Sequence, residues 1–372
     1  MSSKLYLAAM LAPILALGGQ MQHGDDSATS RPTKKTMVFR NASEVTRSEG
    51  KIEILSPVHT VDQVYKSMKG PMSMDAVTVL EGGPSQLAWL TGYRGEMVAA
   101  DGEEPMAPQY FCHSNVDIRP GGHNRIFGGS NANPRVFTLT QGGLDIEFPE
   151  GFGVPVMTDE PLITNSQILN LNPAEAPFDV RSRVEIDYVL DRDLERPYRA
   201  LYQTTAYVMV SLEGRNLMYN VGEMGADCES CCIPGKDASG VVYTDKYNRK
   251  YSGHWVVEPG CHENRTLVTD LLHIPHDTTI HFIAVHLHSF AESIELHDLT
   301  ADKLLFKSHA TNYLDRVGLE RLEYFSSAEG VPVYADHDYE LVCNYQNTTD
   351  ENQDSMASLF IYMEDKEFST NR

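Results

Sequence analysis

From residue 47 to the C-terminal region, apolar residues come in short β-branched or aromatic runs cut by Gly, Pro, Asn and Asp, and helical spacing is hard to find. Such a chain buries alternate side chains along strands, so the expected fold is all-β, built from antiparallel β-sandwiches of jelly-roll type. In the first half the runs predict strands at residues 52–56, 110–118, 135–140, 144–148, 162–171 and 183–190. Pro120-Gly-Gly122, Gly128-Gly129 and Gln141-Gly-Gly143 between them are turn chemistry. In the second half strands are expected at residues 206–212, 254–257, 265–274, 279–290, 293–299, 303–308, 339–345 and 358–363.

A chain of 372 residues exceeds one ordinary core and suits two consecutive sandwiches. The charged, proline-bearing Asp191-Arg-Asp-Leu-Glu-Arg-Pro-Tyr198 marks the boundary, giving domains at residues 47–198 and 199–366. Residues 1–19, with Lys4 ahead of a short apolar run and then Gly18-Gly19, are expected to be a signal peptide rather than a membrane span. Residues 20–46 are polar and are expected to be a flexible leader. No later segment is apolar and long enough to span a bilayer, so the mature protein is expected to be soluble and secreted or periplasmic. A formal charge of −22, from 52 acidic against 30 basic residues, argues against a nucleic-acid or anionic-membrane partner and would attract cations.

Export places the six cysteines in an oxidising compartment, where an even count favours disulfides. Cys228, Cys231 and Cys232 sit in a turn-rich excursion between Tyr219 and Ser252, with Cys261 and Cys343 as candidate disulfide partners and a thiolate metal site as the competing reading. Asn41-Ala-Ser, Asn264-Arg-Thr and Asn347-Thr-Thr fit the glycosylation sequon.

The stretch that carries chemistry is His281-Phe-Ile-Ala-Val-His-Leu-His-Ser-Phe290. Alternation in a strand sends His286 and His288 to one face, Val285 and Leu287 to the other, and turns His281 away from the pair. Two inward imidazoles need a partner, and a metal ion is one. Nine of the 14 histidines fall between His254 and His309, and several are ordinary by position: His273 and His276 flank a proline turn, and His297 stands beside Asp298. Met356 lies where the polar loop at residues 347–354 becomes an apolar strand. Alone it is a core methionine. With the two imidazoles it makes a His2Met set suited to copper, because imidazole serves both oxidation states and a thioether favours Cu(I).

On these residues the chain resembles the copper type II, ascorbate-dependent monooxygenases, the family of the peptidylglycine α-hydroxylating and dopamine β-hydroxylating enzymes. The match runs through Trp255-Val-Val-Glu-Pro-Gly260, Ala284-Val-His-Leu-His288, Tyr324-Phe-Ser-Ser-Ala-Glu-Gly330 and Asp354-Ser-Met-Ala-Ser-Leu-Phe-Ile-Tyr362, covering most of residues 205–365. A weaker match in the first half runs through Gly151-Phe-Gly-Val-Pro-Val156 and Ser166-Gln-Ile-Leu-Asn170. The resemblance implies two β-sandwich domains, copper on His286, His288 and Met356, and a reductant such as ascorbate.

Two departures qualify that picture. The family's second copper uses adjacent histidines on a first-domain strand and a later Gln-x-His. This chain has Cys112-His113, with His123 nearby in sequence, and Gln167-Ile-Leu169. Only His113 carries over, with Cys112 as a substitute thiolate, so the second copper is expected to be absent or rebuilt and an external electron donor is implied. Two residues before the histidine pair, Ala284 replaces the arginine with which the amidating enzymes hold a substrate carboxylate, which argues against a glycine-extended peptide. The substrate, a small molecule or another peptide, stays open. The resulting expectation is an exported copper monooxygenase that hydroxylates a C–H bond with dioxygen. A second reading of the same ligands is a non-catalytic copper-binding or copper-delivery protein, and a third is a metal-free sandwich for adhesion or glycan binding.

Overall fold

The computed structural model describes residues 43–67, 69–119, 123, 126–127, 134–212, 243–245 and 247–368. The signal segment, residues 20–42 of the expected leader, Asn41 of the first sequon, the glycine turns at 120–122 and 128–129, and Cys228, Cys231 and Cys232 lie outside them, whereas the last leader residues, 44–46, belong to a strand rather than a flexible segment. The first half runs through β1 (Glu44–Ser48), β2 (Lys51–Leu55), β3 (His59–Val61), β4 (Met72–Val77), β5 (Leu87–Ala99) and β6 (Phe111–Asp117). It continues with β7 (Arg135–Thr140), β8 (Asp145–Glu147), β9 (Phe152–Met157), β10 (Leu162–Ile168) and β11 (Phe178–Leu190). The second half holds β12 (Arg199–Tyr207), β13 (Val210–Ser211), β14 (Tyr243–Thr244), β15 (Lys250–Ser252), β16 (Trp255–Val257) and β17 (Gly260–Leu267). After these come β18 (Thr278–Leu287), β19 (Ala291–Asp298), β20 (Lys303–Asn312), β21 (Leu319–Leu322) and β22 (Phe325–Val333), then β23 (Tyr339–Asn347), β24 (Gln353–Ser355) and β25 (Ala357–Glu364).

The fold is all-β and sandwich-like, as the patterning predicts. Its organisation adds something the patterning does not carry. One 11-stranded sheet, in the order β1-β2-β11-β5-β9-β12-β25-β18-β22 with β3 also on β11 and β8 also on β5, passes through both halves. The join is a parallel pairing of β12 with β9, Arg199 opposite Phe152 and Ala200 opposite Gly153. A four-stranded sheet, β4-β10-β6-β7, backs the first half, and a five-stranded sheet, β17-β23-β19-β20-β21, backs the second. Residues 41–372 accordingly form one compact unit. The expected boundary at residues 191–198 is a short 3-10 turn, Asp191–Asp193, leading into β12.

The central strand β18 shows how the sheet serves two cores. Ile283, Val285 and Leu287 point into the second-half core with Leu359 and Ile361 of β25. Phe282 and Ala284, with Phe360 and Tyr362, point the other way into the first-half core. Both faces are buried, so residues 282–285 are apolar in succession rather than alternating with polar residues. A bulge interrupts it. Ile280 pairs with Met363 and Phe282 with Tyr362, so His281 is the extra residue. Gly330 packs on that bulge at φ +71°, where an added Cβ would lie 2.5 Å from the Ile280 carbonyl oxygen. His281 stacks on Phe152 at 4.1 Å and places Nδ1 2.9 Å from the Ser327 carbonyl, far along the strand from the histidine pair.

Several expectations need correction. The run at residues 265–274 is not one strand: β17 ends at Leu267, a single helical turn spans Thr269–Leu272, and His273 ends it in the left-handed region at φ 44°. The 13-residue β5 was absent from the expected strands because Gly92 and Gly95 interrupt its apolar run. Those glycines are steric requirements, since a Cβ on Gly95 would meet the Phe111 ring at 2.8 Å. Cys343 is fully buried in the second core and Cys261 is exposed; both are free thiols rather than disulfide partners, and burial pushes the Cys343 thiol pKa up. Asn347, expected as a sequon, is 2% exposed, and its Nδ2 donates to the carbonyls of Val257 and Glu351, so its amide is not available to a glycan.

Candidate metal centre

The histidine pair straddles the end of β18, His286 on the face turned toward the first half and His288 just past the strand. His286 pairs with Ser358 of β25, and Ser358 pairs with Tyr207 of β12, so the three stand in one row across the sheet. Leu287 pairs with Ala357, and Val208 donates its backbone N–H to Ala357 O at 2.9 Å. The next row therefore brings Met356 beside His288, and Met356 packs against Tyr207 and Met209. A single phenol ties the row together. Tyr345 Oη accepts the His288 backbone N–H at 3.1 Å and donates to Met356 O at 2.5 Å.

His286 is 5% exposed, and neither ring nitrogen has a hydrogen-bond partner. Burial pushes its pKa well below the usual histidine value, and the nearby His288, His113 and His254 push it further. A neutral, buried and unsatisfied imidazole keeps a free lone pair, which suits it to bind a metal ion. His288 is held differently. Its Nδ1 lies 3.3 Å from both the carbonyl and a carboxylate oxygen of Asp354, and Nε2 lies 3.4 Å from Ser67 Oγ. A proton on Nδ1 satisfies Asp354 and leaves Nε2 with its lone pair. Burial alone would raise the Asp354 pKa, but His288 outweighs it and the carboxyl titrates below its usual range. This is the carboxylate–imidazole pairing that orients metal-binding histidines. His254 completes the group, its ring 6.2 Å from that of His288.

Among the described residues no three His, Cys, Asp or Glu side chains converge to hold an ion by themselves. A copper site here therefore depends on the Met356 thioether as the third donor. Met356 is 1% exposed and sits in the row beside His288, so the donor set His286, His288 and Met356 fits a soft, low-coordinate ion.

The first-half candidates lie on the four-stranded sheet, where Thr140 of β7 donates its hydroxyl to Val285 O of β18 at 2.9 Å. His113 pairs with Gln167 of β10 on one side and Thr140 of β7 on the other. Because Gln167 pairs with His113 while Ile168 pairs with Phe111, Cys112 is a bulged residue. The bulge turns two adjacent side chains to one side, and Cys112 Sγ lies 3.4 Å from His113 Nδ1. His113 is 1% exposed with Nε2 unpartnered, and burial, then Arg135 and His288, lower its pKa to about 3. Leu169, where the family pattern has histidine, is buried. His123 is not part of this group: its Nδ1 lies 3.2 Å from Glu160, beyond the far end of β10. Leu162, at that end, is roughly 17 Å along the strand from Gln167.

The sequence alone did not single out Asp354, Tyr345 or Ser67. The one available signal was the acidic residue two positions before Met356. Immediately beyond His288 a cleft of about 390 Å³ opens, lined by Ser289, Phe290, Asn312, Tyr313 and Arg316 among others.

No protein-family model matches the chain, and no curated protein matches it. Among solved structures it is similar to a chain of the Sputnik virophage seen by cryo-EM, at 9% identity and a TM-score of 0.21, covering 96% of this chain and 90% of that one. It is also similar to the infectious bursal disease virus VP2 subviral particle, at 10% identity and a TM-score of 0.18, covering 82% and 75%. A chain of Cucumber Leaf Spot Virus gives 11% identity and a TM-score of 0.12, covering 95% and 100%.

Proposed function

We propose that this protein is an exported copper-dependent oxidoreductase of the ascorbate-dependent monooxygenase type, hydroxylating a substrate C–H bond with dioxygen at His286, His288 and Met356. The observation that carries this reading is His286, a buried imidazole with both nitrogens unpartnered, standing beside a carboxylate-oriented His288 and a buried methionine. Bound copper would supply dioxygen binding and one-electron redox chemistry.

The protein's own residues do the rest. Asp354 holds the His288 tautomer that leaves the Nε2 lone pair facing Ser67 Oγ, and Tyr345 fixes the backbones of His288 and Met356 relative to each other. Phe282, Ala284 and Phe360 extend the same face as apolar surface and keep water from the histidines. Ala284 pairs with Phe360 inside the first core, so this position supplies no cation to receive a substrate carboxylate. One ion cycling by one electron needs an outside reductant for the second, and ascorbate or another external donor would serve.

A second reading, copper storage or delivery, is favoured by how deeply the donors lie: His286 and Met356 are 5% and 1% exposed. The test separates the two. Metal-free protein is loaded with copper, given ascorbate and dioxygen, and offered a substrate panel. Oxygen consumption above that of free copper, coupled to hydroxylated product and lost in His286→Ala, supports the monooxygenase. Transfer of Cu(I) to an acceptor with no substrate-dependent oxygen uptake would refute it in favour of the carrier.

A further inference from the structure

We propose that Ser67, His288 and Asp354 form a nucleophile–base–carboxylate triad that, in the metal-free protein, hydrolyses a small carboxylic ester through an acyl-serine. The proposal does not rest on the copper reading; it assigns a second activity to the same imidazole, which proton transfer and a metal ion would use in turn.

Ser67 stands in a first-half turn closed by the Lys69 N–H on the Lys66 carbonyl at 3.0 Å. Both ends of that turn are tied to β10 and the residues just after it. Ahead of Ser67, Tyr65 and Asn170 exchange backbone hydrogen bonds at 2.7 and 3.1 Å. Beyond it, Gln167 Nε2 donates to Gly70 O at 3.0 Å. Gly70 lies so close to β10 that an added Cβ would stand 1.9 Å from the Ile168 carbonyl oxygen, so this approach requires glycine.

The turn held in this way aims Ser67 Oγ at His288 Nε2, 3.4 Å away and 221 positions along the chain. The other ring nitrogen, Nδ1, faces Asp354 Oδ2 at 3.3 Å. A carboxylate on one imidazole nitrogen and a hydroxyl on the other is the arrangement that activates a serine. Such contacts tighten when substrate binds. The His288 and Asp354 side chains are 11% and 16% exposed, while Ser67 is half-buried between the exposed Lys66 and Lys69, so an ester can reach Oγ with the carboxylate shielded behind the ring.

Ser67 Oγ adds to the ester carbonyl carbon as its proton passes to His288 Nε2. The bond from that carbon to the leaving alcohol oxygen then breaks, and His288 gives the proton to the departing oxygen. Water, losing a proton to the same nitrogen, adds to the acyl-serine; the bond to Oγ breaks, the carboxylic acid leaves and Ser67 recovers its proton. Asp354 touches no reacting atom and is a positioning residue, keeping the proton of the resting imidazole on Nδ1 so that Nε2 is the accepting nitrogen.

The probe is p-nitrophenyl acetate, given to the metal-free full chain in the presence of a chelator. p-Nitrophenol should appear in a burst of about one equivalent per chain, and peptide mapping after an acid quench should place one acetyl group on Ser67. Ser67→Ala should lose the burst and about 100-fold or more in kcat, and Ser67→Cys should form an acyl-enzyme again. Asp354→Asn should lower kcat about 100-fold or more with KM unchanged. No burst in the wild type, or the acetyl group on another residue, would overturn the proposal, and neither measurement needs a variant to fold. An unchanged rate in Ser67→Ala would also overturn it, because imidazole acting alone would then account for the hydrolysis. Copper added to the same wild-type preparation separates the two readings. Copper uptake without Ser67 acylation in the metal-free chain would overturn the triad and leave the copper centre standing; acylation in a chain that takes up no copper would support the triad and remove the copper centre.

Discussion

Phe282→Ala tests whether the two sandwiches unfold as one body. Phe282 is fully buried on β18, a second-half strand, but its ring sits in the first-half core, 5.7 Å from Phe148 and 5.8 Å from Tyr362, and stacks on Tyr324 at 5.5 Å. Truncating a phenylalanine in such surroundings costs about 3–5 kcal/mol, from lost transfer energy, lost ring contacts and an unfilled cavity. That is a large share of the roughly 5–15 kcal/mol that holds an ordinary domain together. The chain has two tryptophans, one in each half. Trp89 packs between Tyr198 and Phe368, and Trp255 lies edge-on to Tyr345. Urea unfolding of Trp89→Phe and Trp255→Phe backgrounds, followed by fluorescence, therefore reads the halves separately. If the shared sheet and the exchanged aromatics make one cooperative unit, both transitions shift together by the same free energy. A shift in the Trp255 transition with the Trp89 transition unmoved would refute the reasoning.

Asp354→Asn removes the carboxylate that orients His288, and copper affinity should fall about 10- to 100-fold in a chelator competition while near-ultraviolet circular dichroism stays unchanged. Equal affinity would show that Asp354 does not act through His288. Asp298 is 2% exposed; burial raises its pKa, but hydrogen bonds from His337 Nδ1 at 2.7 Å and the Ala301 N–H at 2.9 Å outweigh that and leave it below the usual value. A folded pKa below the unfolded one means stabilisation that is full above about pH 4 and lost as pH falls further. Asp298→Asn should thus cost about 1.5–3 kcal/mol at pH 7, with the gap to wild type closing below about pH 4 in urea titrations. Gly330→Ala would place a Cβ 2.5 Å from the Ile280 carbonyl at a left-handed residue, so a loss of about 2 kcal/mol or more is expected in thermal unfolding. A wild-type melting temperature would mean that the glycine does not hold the β18 bulge.

Some of this molecule is written locally. A strand's faces are set by alternation, so the sequence by itself placed His286 and His288 together and Val285 and Leu287 opposite, and it put Met356 at the head of the strand that turned out to pair with them. Turn residues and β-branched runs located most strands for the same reason, since the signal lies within a few residues of where it acts. The bulges at Cys112 and His281 escaped, because a bulge depends on which partner residue is skipped. The join of β12 to β9 escaped too, as parallel pairing of residues 47 apart leaves no periodic trace. What the tertiary structure decided is who meets the histidines. Ser67 lies 221 positions from His288, and Thr140 lies 145 from Val285. Alternation tells each strand which side chains it hides, but the surface they are hidden against is chosen by packing between sheets, and that choice brings Ser67 to His288 and Thr140 to Val285.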